Sequence, residues 1–140
     1  MAQAVNKGGG VDLLGAHVTL THANHSSSYE GTYTGESCGF IVEAPDLPTI
    51  YFAGDTNVFG DMALIRRIYA PGIAVLPIGD HFTMGPREAA VAAELVGATR
   101  VIPSHYGTFS LLTGTPETMR DLLPPDIELI APAPGETVAL

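Results

Sequence analysis

The apolar positions change their period along the chain. Between residues 11 and 53 they come in short runs of alternating type: 11–14 and 17–21 either side of Gly15-Ala16, then 38–44 and 49–53 either side of Pro45-Asp46-Leu47-Pro48. Alternation rich in β-branched and aromatic residues predicts strands, and a four-residue link with two prolines suits a hairpin. In 17–21 the pattern puts Val18 and Leu20 on one face and His17, Thr19 and Thr21 on the other, with His17 at the surface. Beyond residue 60 the period lengthens. Met62, Ile65 and Tyr69 recur at helical spacing within 61–69, and Pro71-Gly72 ends that helix. An alanine-rich helix over 87–96 has Pro86 in its first turn and Gly97 as its stop. The nearly continuous apolar run 73–77 reads as a central strand covered on both faces. Further strands are predicted at 100–103, 127–131 and 136–140. Thr115-Pro116-Glu117 opens a third helix with its body at 118–123. The order is β-rich first and βαβα afterwards, which predicts one α/β domain over 1–140 with a mixed sheet and helices packed on it. Residues 1–10 read as a flexible lead-in, and 23–36 as a polar loop.

The loops carry the chemistry. Tyr51-Phe52-Ala53-Gly54-Asp55-Thr56 runs three β-prone residues into a glycine that delivers a carboxylate at a strand end. Histidine-bearing loops lie before it, 22–28, and after it, 103–107, and a third at 78–85 holds Asp80 and His81. Imidazole and carboxylate meeting on one rim are donors that a borderline cation such as zinc accepts. The candidate donors are the loop histidines His25, His81 and His105 together with Asp55; three protein ligands on one ion leave a water to complete a four-coordinate catalytic site. Ser26, Ser27 and Ser28 lie in a polar loop with no Gly-x-Ser-x-Gly elbow around them, so a serine nucleophile is not expected.

Composition narrows the partners. A net charge of −9, from 6 basic and 15 acidic residues, with no basic cluster beyond Arg66-Arg67, disfavours nucleic acid. No apolar run approaches the ~20 residues of a membrane span, and no basic-then-apolar leader opens the chain, so a cytoplasmic location with no membrane partner is expected. Cys38, the single cysteine, lies in an apolar run and reads as an inert core thiol.

Four stretches taken together resemble one family. They are Thr21-His22-Ala23-Asn24-His25-Ser26-Ser27-Ser28, Phe52-Ala53-Gly54-Asp55-Thr56-Asn57-Val58-Phe59-Gly60-Asp61-Met62, Leu76-Pro77-Ile78-Gly79-Asp80-His81-Phe82-Thr83-Met84-Gly85-Pro86 and Val101-Ile102-Pro103-Ser104-His105-Tyr106-Gly107-Thr108-Phe109. In that order they are similar to successive motifs of the metallo-β-lactamase superfamily, in its metal-dependent hydrolase branch near the ascorbate-6-phosphate lactonases. The resemblance implies an αβ/βα sandwich of which this chain is the C-terminal part. It further implies one or two divalent ions, zinc or manganese, and hydrolysis of a small lactone or ester by metal-bound hydroxide. His25 then belongs to the first metal, Asp55 bridges both, and His105 belongs to the second. Asp55 and His81 take catalytic roles, and Asp80, His81 and Tyr106 line the substrate. His22 matches no ligand position.

The family's His-x-His-x-Asp-His motif is absent from these 140 residues. Its absence implies that ligands come from a complementary N-terminal chain or through a homo-oligomer, and that the chain alone binds metal weakly or not at all. A catalytically inactive half-domain serving only in assembly, and a small phosphodiesterase, are the rival readings.

Overall fold

The computed structural model describes residues 3–139. A seven-stranded sheet in the order β1-β2-β5-β6-β7-β8-β9 is formed by Gly10–Leu13 (β1), Ala16–His22 (β2), Cys38–Glu43 (β5), Ile50–Phe52 (β6), Ile73–Pro77 (β7), Arg100–Ser104 (β8) and Glu128–Leu129 (β9). The loop expected over 23–36 contains a separate small hairpin, Ser28–Tyr29 (β3) with Thr32–Tyr33 (β4).

Strand directions organise one edge of the sheet. β2 is antiparallel to β5, and β5 to β6, while β6, β7 and β8 pair in parallel. β2, β6, β7 and β8 therefore all point the same way, and the loops carrying His25, Asp55, Asp80-His81 and His105 leave from one rim. The C-terminal ends of parallel strands are where open α/β sheets place their sites.

Three helices, Met62–Tyr69 (α1), Pro86–Val96 (α2) and Pro116–Arg120 (α3), share one core with the sheet. Ile41, Tyr51, Ala74, Leu76 and Val101 meet Met62, Ala89, Ala92, Ala93, Val96 and Met119 there. Alanine spacing on α2 lets its backbone approach the strands, and right-handed β6-α1-β7 and β7-α2-β8 crossovers put both helices on the same side. α2 and α3 have capped ends: Glu88 accepts the Gly85 N–H at 3.3 Å, Gly97 ends α2 in the left-handed region, and Thr115 Oγ1 accepts the Thr118 N–H at 3.2 Å at the start of α3.

The other face of the sheet carries no layer among the described residues. Leu20, Phe40, Phe52, Val75 and Ile102 stand in register across β2, β5, β6, β7 and β8, with Phe40 and Phe52 left 39% and 38% exposed. In β2 the helix-covered positions are Thr19 and Thr21, both buried, while Val18 and Leu20 are only half-buried. The accessible surface is 8381 Å². A compact monomer of 14.6 kDa exposes about 6,900 Å² by the usual size scaling.

Several sequence expectations need correction. Residues 8 and 9 are tied to β2, Gly8 N–H to Leu20 O at 2.8 Å and Leu20 N–H to Gly9 O at 3.0 Å, so the end of the expected lead-in is ordered by strand-type bonds. The third helix stops at Arg120 rather than running to 123, and the strand expected over 127–131 shortens to two residues. No strand forms over 136–139: Glu136 closes a turn on Ala133, its N–H donating to the Ala133 carbonyl at 2.9 Å and its carboxylate accepting the Ala133 N–H at 2.8 Å, and Leu140 lies outside the described residues. Cys38 is half-buried at the start of β5, on the parity of the open face, rather than in the core. No helix among the described residues is long and apolar enough to cross a membrane.

Candidate metal centre

Asp55 and His105 are brought together by the β6 and β8 exits. The strand run ends at Phe52, and Gly54 takes a positive φ of 67°, turning the chain so that Asp55 stands exposed on the rim. Gly54 also passes so close to the Cys38 carbonyl that a side chain there would collide with it. His105 holds φ at 53°, a left-handed conformation that costs a non-glycine residue about 1–2 kcal/mol. Its Nε2 lies 3.9 Å from Asp55 Oδ2, beyond hydrogen-bond reach, and its Nδ1 is buried without a hydrogen-bond partner. Both line a cavity of about 420 Å³ with Phe40, Phe52, Val75 and Ser104.

His25 is not in that pair. Its Nδ1 faces the Ser26 carbonyl at 2.6 Å and its Nε2 the Phe82 carbonyl at 2.9 Å. A ligating imidazole needs one nitrogen with a free lone pair, so His25 must give up one carbonyl before it can bind an ion. No group of three His, Cys, Asp or Glu side chains among the described residues is arranged to hold a metal. Two donors on one tetrahedral ion lie about 3.4 Å apart, so the Asp55–His105 pair comes within about half an ångström of that spacing. The chain thus presents two fitting donors and lacks a third in place.

The remaining sequence candidates occupy other positions. Asp80 is built into its own turn: Oδ1 accepts the His81 N–H at 2.7 Å and Oδ2 accepts the Thr113 hydroxyl at 3.4 Å. Asp80 and His81 both have positive φ, 64° and 56°. His81 is exposed and its ring meets Phe82 edge-on at 4.4 Å. Tyr106 packs against the helix-side core and lines a different cavity, with Leu112, Thr115 and Arg120. His22 meets Phe59 edge-on at 5.2 Å and approaches Lys7 at 3.5 Å. Lys7 donates to Glu36 at 2.9 Å, and that bond with the lysine's charge holds the exposed Glu36 carboxyl below its ordinary range.

Two positioning features carry no sequence signature. Thr56, fully buried, accepts the Asn24 N–H and donates to the Asn57 carbonyl, while its own carbonyl accepts the Met84 N–H at 3.1 Å. It therefore joins the exits of β2, β6 and β7. Gly79 lets the β7 exit pass against His105, because a Cβ there would fall on the His105 carbonyl and within 3.1 Å of its Nδ1.

The sequence matches a family model described as a beta-lactamase superfamily domain over residues 1–106. It is 48% identical over 138 residues to a metal-dependent hydrolase of Herpetosiphon aurantiacus, covering 94% of this chain and 57% of that protein. A metal-dependent hydrolase of Methanosarcina mazei is 42% identical over 145 residues, covering 99% and 63%. Among solved structures, a metallo hydrolase from the archaeon Ignicoccus hospitalis superposes with a TM-score of 0.82 at 34% identity, over 97% of this chain and 59% of that one. An isothiocyanate hydrolase from Delia radicum gut bacteria shares the fold, with a TM-score of 0.74 at 22% identity over 99% and 59%. The chain spans about three-fifths of the length of the curated relatives it matches.

Proposed function

Since the chain belongs to the metallo-β-lactamase superfamily, we propose that it supplies part of the active site of a metal-dependent hydrolase acting on a lactone or ester. The observation that carries this reading is the Asp55–His105 pair, with a buried ring nitrogen left unpartnered on the rim where four parallel strands end. Unpartnered buried polar atoms and positive φ at non-glycine residues concentrate at working sites. Carboxylate with imidazole suits zinc or manganese. When bound, such an ion supplies a Lewis acid for the carbonyl and a water acidified towards neutrality, so no side-chain nucleophile is needed.

Asp55 and His105 hold the donor pair, and the β6 and β8 exits fix their separation. His25 joins as a further donor once its Nε2 leaves the Phe82 carbonyl. His81, exposed on the next loop of the rim, is placed to donate a hydrogen bond to a substrate carbonyl or a developing oxyanion. Asp80 shapes that loop, and Tyr106 supports the His105 turn from the core side. The remaining ligands come from a segment outside these 140 residues, on a complementary N-terminal portion or a partner copy. The open Leu20–Phe40–Phe52–Val75–Ile102 face supports such a packing partner. The accessible surface exceeds that of a compact monomer by roughly 1,500 Å², and this open face contributes to the excess.

The second reading, a half-domain that serves only in assembly, is favoured by the lack of any three-donor group among the described residues. Elemental analysis of the chain purified without chelator, beside Asp55→Ala and His105→Ala, separates the two. The chain alone is expected to hold little or no metal; stoichiometric zinc or manganese in its complex with the segment or partner copy that completes the ligands, lost in both variants and with lactone hydrolysis following the metal, is the result this reading expects. A metal-free complex that still assembles would leave only the second reading.

A further inference from the structure

Residues 6–9 form a turn that presents the only lysine of the chain. Asn6 Oδ1 accepts the Lys7 N–H and the Asn6 carbonyl accepts the Gly9 N–H, both at 2.8 Å, while Gly8 and Gly9 are bonded to Leu20 of β2. Lys7 is thereby held beside the end of that strand, its Nζ 3.5 Å from His22 Nδ1 and 2.9 Å from a carboxylate oxygen of Glu36. The lysine side chain is 22% exposed and that of Glu36 71%, so the cation is set into the wall and its partner reaches in from outside. An ion pair with one partner so exposed is weak, and a second carboxylate can take the place of the first.

Lys7, His22 and Glu36 wall a cavity of about 480 Å³ together with Asn24, His25 and Tyr33. Shared residues and bonds join this cavity to the candidate site. His25 lines it, and Asn24 is held at 2.9 Å by the hydroxyl of Thr56, the residue after Asp55. The hydroxyl of Ser37, next to Glu36, is shared between the carbonyls of Ala23 and His25 at 2.9 and 3.0 Å. The β3–β4 hairpin forms the outer wall, closed at its base by the Thr34 N–H on the Ser27 carbonyl at 3.2 Å. Of the two cavities that hold a candidate donor, this one contains Lys7, and that of Asp55 and His105 has no lysine or arginine among the described residues. The group seated on Lys7 is a carboxylate, and no second cation lines the cavity to balance a dianion. We propose that Lys7 binds a free carboxylate of the substrate in exchange for that of Glu36, so that the hydrolysed lactone or ester is one that carries a second, ionised carboxyl group. The subsite stands without the hydrolase reading; that its ligand is a substrate rests on it.

The test titrates the 140-residue chain at low salt with γ-butyrolactone bearing a γ-carboxylate and with the methyl ester of the same acid, read by NMR at the His22 ring and the amides of Lys7 and Glu36. The expected result is that the acid shifts these resonances and the ester does not. Lys7→Gln should weaken binding of the acid about tenfold, and Glu36→Gln, which removes the competing carboxylate, should tighten it about threefold. Opposite effects from the two halves of one ion pair separate a ligand subsite from a structural bond, whose loss would act alike from either side. Equal binding of acid and ester, unchanged affinity in Lys7→Gln, weaker binding in Glu36→Gln, or inorganic phosphate binding as tightly as the acid would overturn the proposal. Turnover is followed separately with added zinc or manganese, in the chain and in its completed complex. Binding at Lys7 without turnover of either lactone counts against the hydrolase reading and sustains the subsite; equal kcat/KM for acid and ester sinks the subsite and sustains the hydrolase.

Discussion

The hydroxyl of Thr56 accepts the backbone N–H of Asn24 at 2.9 Å across 32 positions of sequence. The same hydroxyl donates to the Asn57 carbonyl at 2.8 Å, and the Asn57 N–H returns to the Asn24 carbonyl at 3.3 Å. The loop carrying His25 and the loop carrying Asp55 are thus bonded to one another by a buried side chain that itself binds nothing else. Thr56→Val keeps the shape, removes the acceptor and donor, and leaves the Asn24 N–H and Asn57 carbonyl short of a partner. That should lower unfolding free energy by about 1–3 kcal/mol in urea titrations, while Thr56→Ser retains most of it. A valine variant as stable as the parent would show that these two loops are held by other means.

Such a staple leaves no trace in periodicity, and this marks the limit of what the chain discloses by pattern. Asp55 was legible because an apolar strand run ends in glycine and then a carboxylate. His105 was legible because a short strand empties into it. Their meeting follows from strand direction, with β2, β6, β7 and β8 parallel, which a β-then-βαβα order makes natural. The separation of His25 from them was not legible, because it turns on two carbonyls, of Ser26 and Phe82, that no residue type announces. Alternation in β2 correctly divided Val18 and Leu20 from Thr19 and Thr21, yet hydropathy alone points the helices at the wrong face. The threonines are the covered pair, because the apolar row belongs to the side that has no layer here.

Gly79 and Gly107 should answer to alanine differently, since each is glycine for its own reason. A Cβ at Gly79 would land on the His105 carbonyl, so Gly79→Ala must push the β7 and β8 exits apart. Gly107 has open space around it and only a positive φ of 71° to maintain. Gly107→Ala should cost about 1 kcal/mol, and Gly79→Ala about 1–3 kcal/mol or more, with His105 ring resonances displaced only in the latter. Equal costs, or an undisturbed His105 in Gly79→Ala, would contradict the packing described.

The open sheet face predicts association. Phe40 pairs with Leu20 on one side and Phe52 on the other, and both phenylalanines are more than a third exposed. Replacing them together by threonine keeps β propensity and removes the apolar row. Sedimentation velocity should find the parent chain as a dimer or larger species at micromolar concentration and the double variant as a monomer. A parent that runs as a monomer across that range would mean that this face does not join copies of the chain, and would turn attention to a different covering segment.

Tyr51 supplies the pH test. Burial raises its phenol far above the ordinary value near 10, and its hydroxyl sits close to Thr21 with neither oxygen in a hydrogen bond of normal geometry. The folded state therefore keeps the proton to higher pH than the unfolded chain does. Stability from this group is fully present below about pH 10, where both states are neutral, and falls as pH rises and the unfolded tyrosine alone ionises. The expected loss is about 1.4 kcal/mol for each pH unit between the unfolded and folded values. Tyr51→Phe removes an unsatisfied hydroxyl as well as the titration, so it should be at least as stable as the parent near pH 8 and exceed it by a wider margin near pH 11 in urea unfolding. Parallel alkaline losses in the two proteins would place the titrating group elsewhere and leave the buried phenol without a part in alkaline unfolding.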